Sequence, residues 1–271
     1  MLTLAAYMRF CRLLLEYPNN SFRFIWNDYQ PKLFDFTHPD LKKSMNKNIA
    51  PYFEGAQGIC IGGVLGWLFQ DYLKKAAKVV NVDQIADYPG NKISQDYVTD
   101  AANLYFAKDA EFDFVCSSHV LEHLTDPILA IKEWMRVIKN NGIIYCSVPD
   151  KRFTFDHKRK TTTLQHMKDD YSTGAHQDLT HLNDVLLNYD YNGLGVTREG
   201  VVEEVKNFRV SVKNGIPATF TPHQHVFEKE NVVALFDSVG LKNVFSVVRG
   251  NTIHLVAMKS IERTFSNTVN I

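Results

Sequence analysis

The sequence predicts a doubly wound α/β fold: a mainly parallel seven-stranded sheet, a helical N-terminal cap and an insertion after the fifth strand. Three observations predict it. From about residue 56, short and continuously apolar runs alternate with helical stretches, the signature of a parallel sheet covered on both faces. The alternation stops near residue 150, gives way to a polar stretch up to about 225, and then resumes. Finally, apolar runs at 243–248 and 253–258 are joined only by Arg249-Gly250-Asn251, so the closing pair of strands is antiparallel.

The elements follow in chain order. Residues 1–50 read as a helical cap punctuated by Pro18, Pro31 and Pro39, serving as a lid or a homodimer contact. The opening MLTLAAYMRFCRLLLEYP is apolar but carries Arg9 and Arg12, and falls short of the ~20 apolar residues of a membrane span. It also lacks the flanks of a secretory signal, so the chain is expected to be cytoplasmic with no membrane span. The domain proper covers 51–260 and is followed by a tail, 261–271. Its first strand is Gln57–Ile61, followed by a helical stretch at 65–77 and a β-branched run at 79–82 ending on Asp83. A weaker strand at 93–99 precedes a strong one at 112–117. A helix over 127–138 places Ile128, Ile131, Trp134, Met135 and Ile138 on one face, and Asn140-Asn141-Gly142 stops it. A strand at 142–148 leads into the insertion, 151–225, with two short helical candidates. A helix at 230–239, closed by Gly240, leads to the final hairpin.

Composition narrows the function. The 271 residues are 45% hydrophobic, enough for one large core. Thirty basic and thirty acidic residues cancel, so net charge gives no argument for nucleic acid or an anionic membrane as partner. The four cysteines (Cys11, Cys60, Cys116, Cys146) form no CxxC pair, and the last three lie in apolar runs as buried free thiols of a reducing compartment.

The chemistry begins at the first turn, Cys60-Ile61-Gly62-Gly63-Val64-Leu65-Gly66. Its glycines allow a sharp strand-to-helix bend and close approach of a ligand to the main chain. They do not keep the phase of GxGxxG, and no GxxxxGK[ST] loop occurs, which disfavours a nicotinamide-dependent enzyme. Asp83, 21 residues after Gly62, stands at the tip of the second strand, where a carboxylate can accept both hydroxyls of an adenosine ribose. The densest pattern is EFDFVCSSHVLEHLTDP (111–127), followed by EWMRVIKNNG (133–142).

These residues resemble the central signature of class I S-adenosylmethionine-dependent methyltransferases, type 11-like, roughly FDxVxxxxVLEHLxDP followed by E-xx-RVLKPGG. The resemblance covers about 55–150 and 225–260. It implies S-adenosylmethionine as cofactor. Gly62, Gly63 and Gly66 would line its methionine and ribose part, and Asp83 would hold the ribose. Asp100 and Ala101 would meet the adenine edge, with Ser118 and His119 under the methionyl group. The chain departs from the family pattern at Cys60, where an acidic residue is usual, and at Val64, where a glycine is usual. The segment PDKRFTFDHKRKT (149–161) further resembles methyltransferases encoded among bacterial surface-glycan genes, where such a run opens the acceptor-binding insertion.

The insertion is basic and rich in histidine. Seven residues between Lys151 and His166 are Lys, Arg or His against one Asp, a composition suited to phosphate or carboxylate recognition. The expected acceptor is therefore a small anionic or sugar molecule, such as a phosphorylated or nucleotide-linked sugar of surface polysaccharide biosynthesis. Its expected contacts are Arg152, Asp156, Arg159, His176, His223 and His225. Eight of the ten histidines lie between His119 and His225. Transfer of a methyl group to a hydroxyl needs late removal of the acceptor proton, and imidazole has a suitable pKa; His119, His123 and His181 are the candidate bases. The His119-Val120-Leu121-Glu122-His123 spacing also places three potential metal ligands at i, i+3 and i+4, although the same triplet occurs in metal-free members, and no metal is assigned. O-methyl transfer is the expected reaction. A cofactor-binding regulatory or scaffold protein without turnover is the alternative.

Overall fold

The structure, a computed structural model, describes residues 38–62, 69–84, 94–174, 181–191, 197–214 and 222–260. Seven strands form one sheet: β1 (Gln57–Ile61), β2 (Lys78–Asp83), β3 (Tyr97–Val98), β4 (Phe112–Ser118), β5 (Ile138–Pro149), β6 (Leu241–Arg249) and β7 (Thr252–Lys259). Their order is β3-β2-β1-β4-β5-β7-β6. Pairs among the first five are parallel, and β7 runs antiparallel to both β5 and β6. The winding reverses between β1 and β4, which opens a crevice beyond their carboxyl ends. This is the mainly parallel sheet with a closing hairpin that the sequence pattern predicts.

Pleating divides the core into two layers. Ile59 and Ile61 of β1, and Ile144, Cys146 and Val148 of β5, face one layer. Helices α3 (Pro127–Val137) and α7 (Lys229–Ser238) cover it with Ile128, Ile131, Trp134, Leu235 and Phe236. Cys60, Phe114, Cys116, Ile143 and Tyr145 face the other side. That layer is closed by Met45 and Ile49 of α1 (Pro39–Ile49), with Phe53, Phe69 and Tyr72, the last from the single-turn α2 (Gln70–Leu73). Cys60, Cys116 and Cys146 are buried free thiols. Most of the expected cap, together with Cys11 and the 261–271 tail, lies outside the described residues.

Two boundaries differ from expectation. The Asn140-Asn141-Gly142 stop belongs to β5, which begins at Ile138 directly after α3 and shifts register between the pairs at Phe112 and Phe114. Asn141 takes φ +63°, and a Cβ at Gly142 would stand 2.8 and 2.9 Å from the carbonyl oxygens of Lys139 and Asp113. The bulge therefore absorbs what the sequence marks as a loop. The insertion holds three helices among the described residues: α4 (Leu164–Thr173), α5 (His181–Asn188) and α6 (Arg198–Asn214). The long α6 is hard to read because its buried stripe is narrow. Val201, Val205 and Phe208 join Leu182, Val185 and Tyr189 in a separate small core, while the rest of the helix is largely charged.

Helix α3 also fixes the loop before β4. Asp126 caps it by accepting from the Leu129 N–H at 2.8 Å, with Pro127 at its first turn. Trp134, fully buried, donates from Nε1 to the Ala101 carbonyl at 2.9 Å. Arg136 donates to the carbonyls of Leu104 and Ala107 and pairs with Glu133 and Asp109. Trp134→Phe would leave the Ala101 carbonyl without that donor and open a small void. We expect a loss of about 1–3 kcal/mol in unfolding free energy, measured by urea denaturation; an unchanged midpoint would refute the role given to this bond.

Candidate active site

The carboxyl ends of β1, β2 and β4 converge on the crevice. Gly62 follows β1 with φ +74°, and its N–H donates to the Val82 carbonyl at 3.0 Å. A Cβ there would lie 2.4 Å from Val120 Cγ2, so only glycine lets the first turn close against the segment after β4. Asp83 ends β2, and its carbonyl accepts from Thr99 N–H at 3.0 Å. Burial, and secondarily the negative charge of Asp83, push the Cys60 thiol up to about 12. Cys60 thus stays uncharged, and Asp83 supplies the carboxylate beside this turn. Asp100 is exposed and turns its carboxylate back to its own loop, accepting from Ala102 N–H at 2.7 Å. Ala101 is buried, anchored through Trp134. Gly63 and Gly66 lie outside the described residues.

Beyond β4, Ser118 is buried, and its hydroxyl accepts from the Ser147 hydroxyl at 3.3 Å. His119 then takes φ +52°, a left-handed backbone that a non-glycine residue holds only when its surroundings impose it. Its N–H donates to the Ser147 carbonyl at 2.9 Å. Its ring lies with Nδ1 3.3 Å from Glu122 Oε1 and Nε2 3.4 Å from the Thr252 hydroxyl. Glu122 has no exposed surface. Burial pushes its carboxyl up, but His119, His123 and His223 outweigh this and hold it below the usual range. His123 Nε2 stands 3.9 Å from the same oxygen, and its ring lies 4.8 Å from that of His223. The sequence reading gave Glu122 only a secondary part as a metal ligand; its place at the centre of three imidazoles comes from the fold. Glu122, His123 and His223 each bring a ligand atom within 4.8 Å of the other two, so this cluster can hold a divalent ion. The set exchanges His119 for His223 relative to the sequence motif.

His223 belongs with Asp156. Its Nδ1 lies 2.5 Å from Asp156 Oδ2, and both residues are buried. Burial pulls the imidazole down, but the Asp156 carboxylate outweighs it and raises the pKa above the ordinary 6.5. Asp156 in turn accepts from Arg159 Nη1 at 2.8 Å.

Three expectations need correction. Arg159, expected to reach an anionic acceptor, is 2% exposed. Its guanidinium donates to Asp156, to Asp184 and to the carbonyls of His223 and Gln224, so it ties the insertion together instead of facing a ligand. Asp156 is held inside the same network. His181, expected beside His119 and His123, is instead grouped with His166, Asp170 and His225. A regular strand would place His223 and His225 on one face, but the chain bends at Gln224 and His225, whose N–H groups both donate to the Glu122 carbonyl. One imidazole thereby faces each cluster. Arg152 is exposed and forked onto Asp150, with Nη2 2.6 Å from Oδ2. His176 lies outside the described residues. Gln224, which the sequence does not single out, is fully buried with neither end of its carboxamide hydrogen-bonded.

Residues 58–146 match the methyltransferase domain family. The chain is an enzyme, an S-adenosylmethionine-dependent methyltransferase. No curated protein matches it in sequence. Solved structures with a similar outline include a SAM-dependent methyltransferase from Aquifex aeolicus, 13% identical, with TM-score 0.45, covering 80% of this chain and 88% of that one. Another from Methanosarcina mazei is 18% identical, with TM-score 0.45, covering 79% and 97%. A Zn-dependent alcohol dehydrogenase from Rhodobacter sphaeroides is 17% identical, with TM-score 0.48, covering 80% and 87%. No described helix is long and apolar enough to cross a membrane.

Burial pushes His225 and His254 each down to about 3, His225 with help from His181, and His254 with help from Arg249. In the unfolded chain both titrate near 6.5, so between these values the unfolded state binds more protons. Stability should therefore fall as pH drops from about 6.5 toward 3. His223, whose pKa is raised, contributes in the opposite sense: its share is complete below 6.5 and is lost as pH rises through its folded value. Chemical denaturation across pH should show a shallower acid slope for His254→Gln than for wild type; equal slopes would contradict the assignment.

Proposed function

We propose that the enzyme is a cytoplasmic O-methyltransferase whose base is His119, oriented by the buried Glu122 carboxylate. The observation that carries this reading is the Glu122–His119 pair at the carboxyl end of β4, with the carboxylate wholly buried and the imidazole backbone held left-handed. A carboxylate on Nδ1 fixes the tautomer that leaves Nε2 to accept a proton. When bound, S-adenosylmethionine supplies a methyl group on a positively charged sulfur. Gly62, Asp83, Asp100, Ala101 and Ser118 would hold it, and the family resemblance adds Gly63 and Gly66. Two features support that fit: the close glycine turn at Gly62, beside the reversal of the sheet, and Asp83 at the end of the neighbouring β2. His119 takes the acceptor's hydroxyl proton late in the transfer, and His123 and His223, the latter held by Asp156, position the acceptor.

For the acceptor we propose a polar sugar derivative, phosphorylated or nucleotide-linked, of the kind used in bacterial surface polysaccharide. Support for its anionic part rests on the exposed Arg152, Lys158 and Lys160, since Arg159 is internal.

Two measurements test this reading. Asp83→Ala should weaken S-adenosylmethionine binding about tenfold or more by calorimetry, through loss of charge-assisted hydrogen bonds; unchanged affinity would remove Asp83 from the cofactor site. His119→Ala and Glu122→Gln should keep cofactor affinity while kcat falls at least about 100-fold on whichever member of a panel of sugar phosphates, nucleotide sugars and neutral sugars is methylated. Near-normal turnover in both variants at saturating cofactor would sink the base assignment. Methylation of neutral sugars alone would sink the anionic acceptor.

A further inference from the structure

A second cluster of titratable groups lies in the insertion and has no part in the reading above. His166 and Asp170 occupy i and i+4 of α4, so both project from one face of that helix. His181 begins α5 and meets them there. His166 Nε2 lies 3.3 Å from His181 Nε2, and Asp170 Oδ2 lies 3.5 Å from the first and 3.8 Å from the second. His225 Nε2 approaches the same carboxylate oxygen at 3.8 Å. Asp170 and His181 are buried, while the His166 side chain is 43% exposed, leaving the group one open approach.

Two imidazole nitrogens and a carboxylate oxygen, each within 4 Å of the others, form a set of converging lone pairs. A single proton can occupy the 3.3 Å line between the two imidazoles. A tetrahedral ion with bonds of about 2.0–2.2 Å spaces its ligands about 3.3–3.5 Å apart. The observed separations of 3.3, 3.5 and 3.8 Å meet that spacing with shifts of a few tenths of an ångström. The N₂O donor set suits a borderline cation better than magnesium or calcium.

We propose that His166, Asp170 and His181 bind a divalent transition-metal ion of the zinc type, joining α4 to the start of α5. The site is separate from the Glu122–His123–His223 cluster and does not depend on the methyl-transfer reading.

The full-length chain, stripped with chelator and titrated with Zn²⁺ against a chromophoric competitor, should take up a tight equivalent that raises its melting temperature. His166→Ala, at the half-exposed position, should melt as the metal-free wild type does and bind that equivalent at least about tenfold more weakly. His181→Ala should behave alike, and His123→Ala should bind as wild type. Co²⁺ in place of Zn²⁺ should give the intense visible absorption of a low-coordinate site in wild type and His123→Ala only. The proposal is overturned if the wild-type chain takes up no tight ion. Binding that survives both His166→Ala and His181→Ala, or that is lost only in His123→Ala, would overturn it equally, the last outcome assigning the ion to the other cluster.

Discussion

A carboxylate taken wholly out of water must be compensated by charge, and Glu122 shows how far one such group can organise a site. Three imidazoles, from His119, His123 and His223, surround it and hold it ionised against its burial. Its backbone carbonyl meanwhile accepts the N–H groups of Gln224 and His225. The side chain thus fixes the end of β4, while the main chain fixes the segment returning from the insertion. The left-handed backbone of His119 follows from the same constraint, because the residue must both bond to Ser147 and turn its ring back to Glu122.

Arg159 does for the insertion what Glu122 does for the sheet end. A guanidinium offers five donors in a rigid fork, and here they meet two carboxylates and two carbonyls. Removing one partner of so buried a group costs more than the pair contributes by being present, so the network acts chiefly to specify one arrangement. Asp156 passes that rigidity to His223, and Tyr189 adds to it: its hydroxyl accepts from the His223 N–H at 2.8 Å. The insertion, with its own small apolar core, is thereby pinned to the mouth of the sheet.

Most of the sheet was legible because its signal is local. Continuous apolar runs, the stop at Gly240 and the short turn at Gly250 each determine their element without distant information. The bulge at Asn141 and Gly142 was not legible, since loop chemistry and bulge chemistry use the same residues. At the site, His119 and His123 could be found from their position after β4. The displacement of His181 could not, because it depends on how α4 and α5 pack. Arg159 was misread for a similar reason: composition counts its charge, but its partners Asp156 and Asp184 become neighbours only through folding.

That last point bears on the acceptor. The run from Lys151 to Lys160 looks strongly basic as a string, yet the fold sets a carboxylate against most of it. Arg152 meets Asp150, Arg159 meets Asp156 and Asp184, and Lys158 lies 3.5 Å from Asp190. Lys151 donates to the Arg159 carbonyl. Exposed ion pairs are weak, so the exposed Lys158 can exchange Asp190 for a phosphate at small cost. Arg152 is exposed but its partner Asp150 is fully buried, and Arg159 cannot leave its partners without dismantling the insertion. In the reading we propose, a negative charge on the acceptor is met at the outer rim, by Lys158 and the exposed Arg152, and the proton is taken by the partly exposed His119. A sugar carrying a phosphate, the acceptor proposed above, has an anionic group and a separate hydroxyl to offer these two places, whereas a compact anion such as a simple carboxylic acid does not.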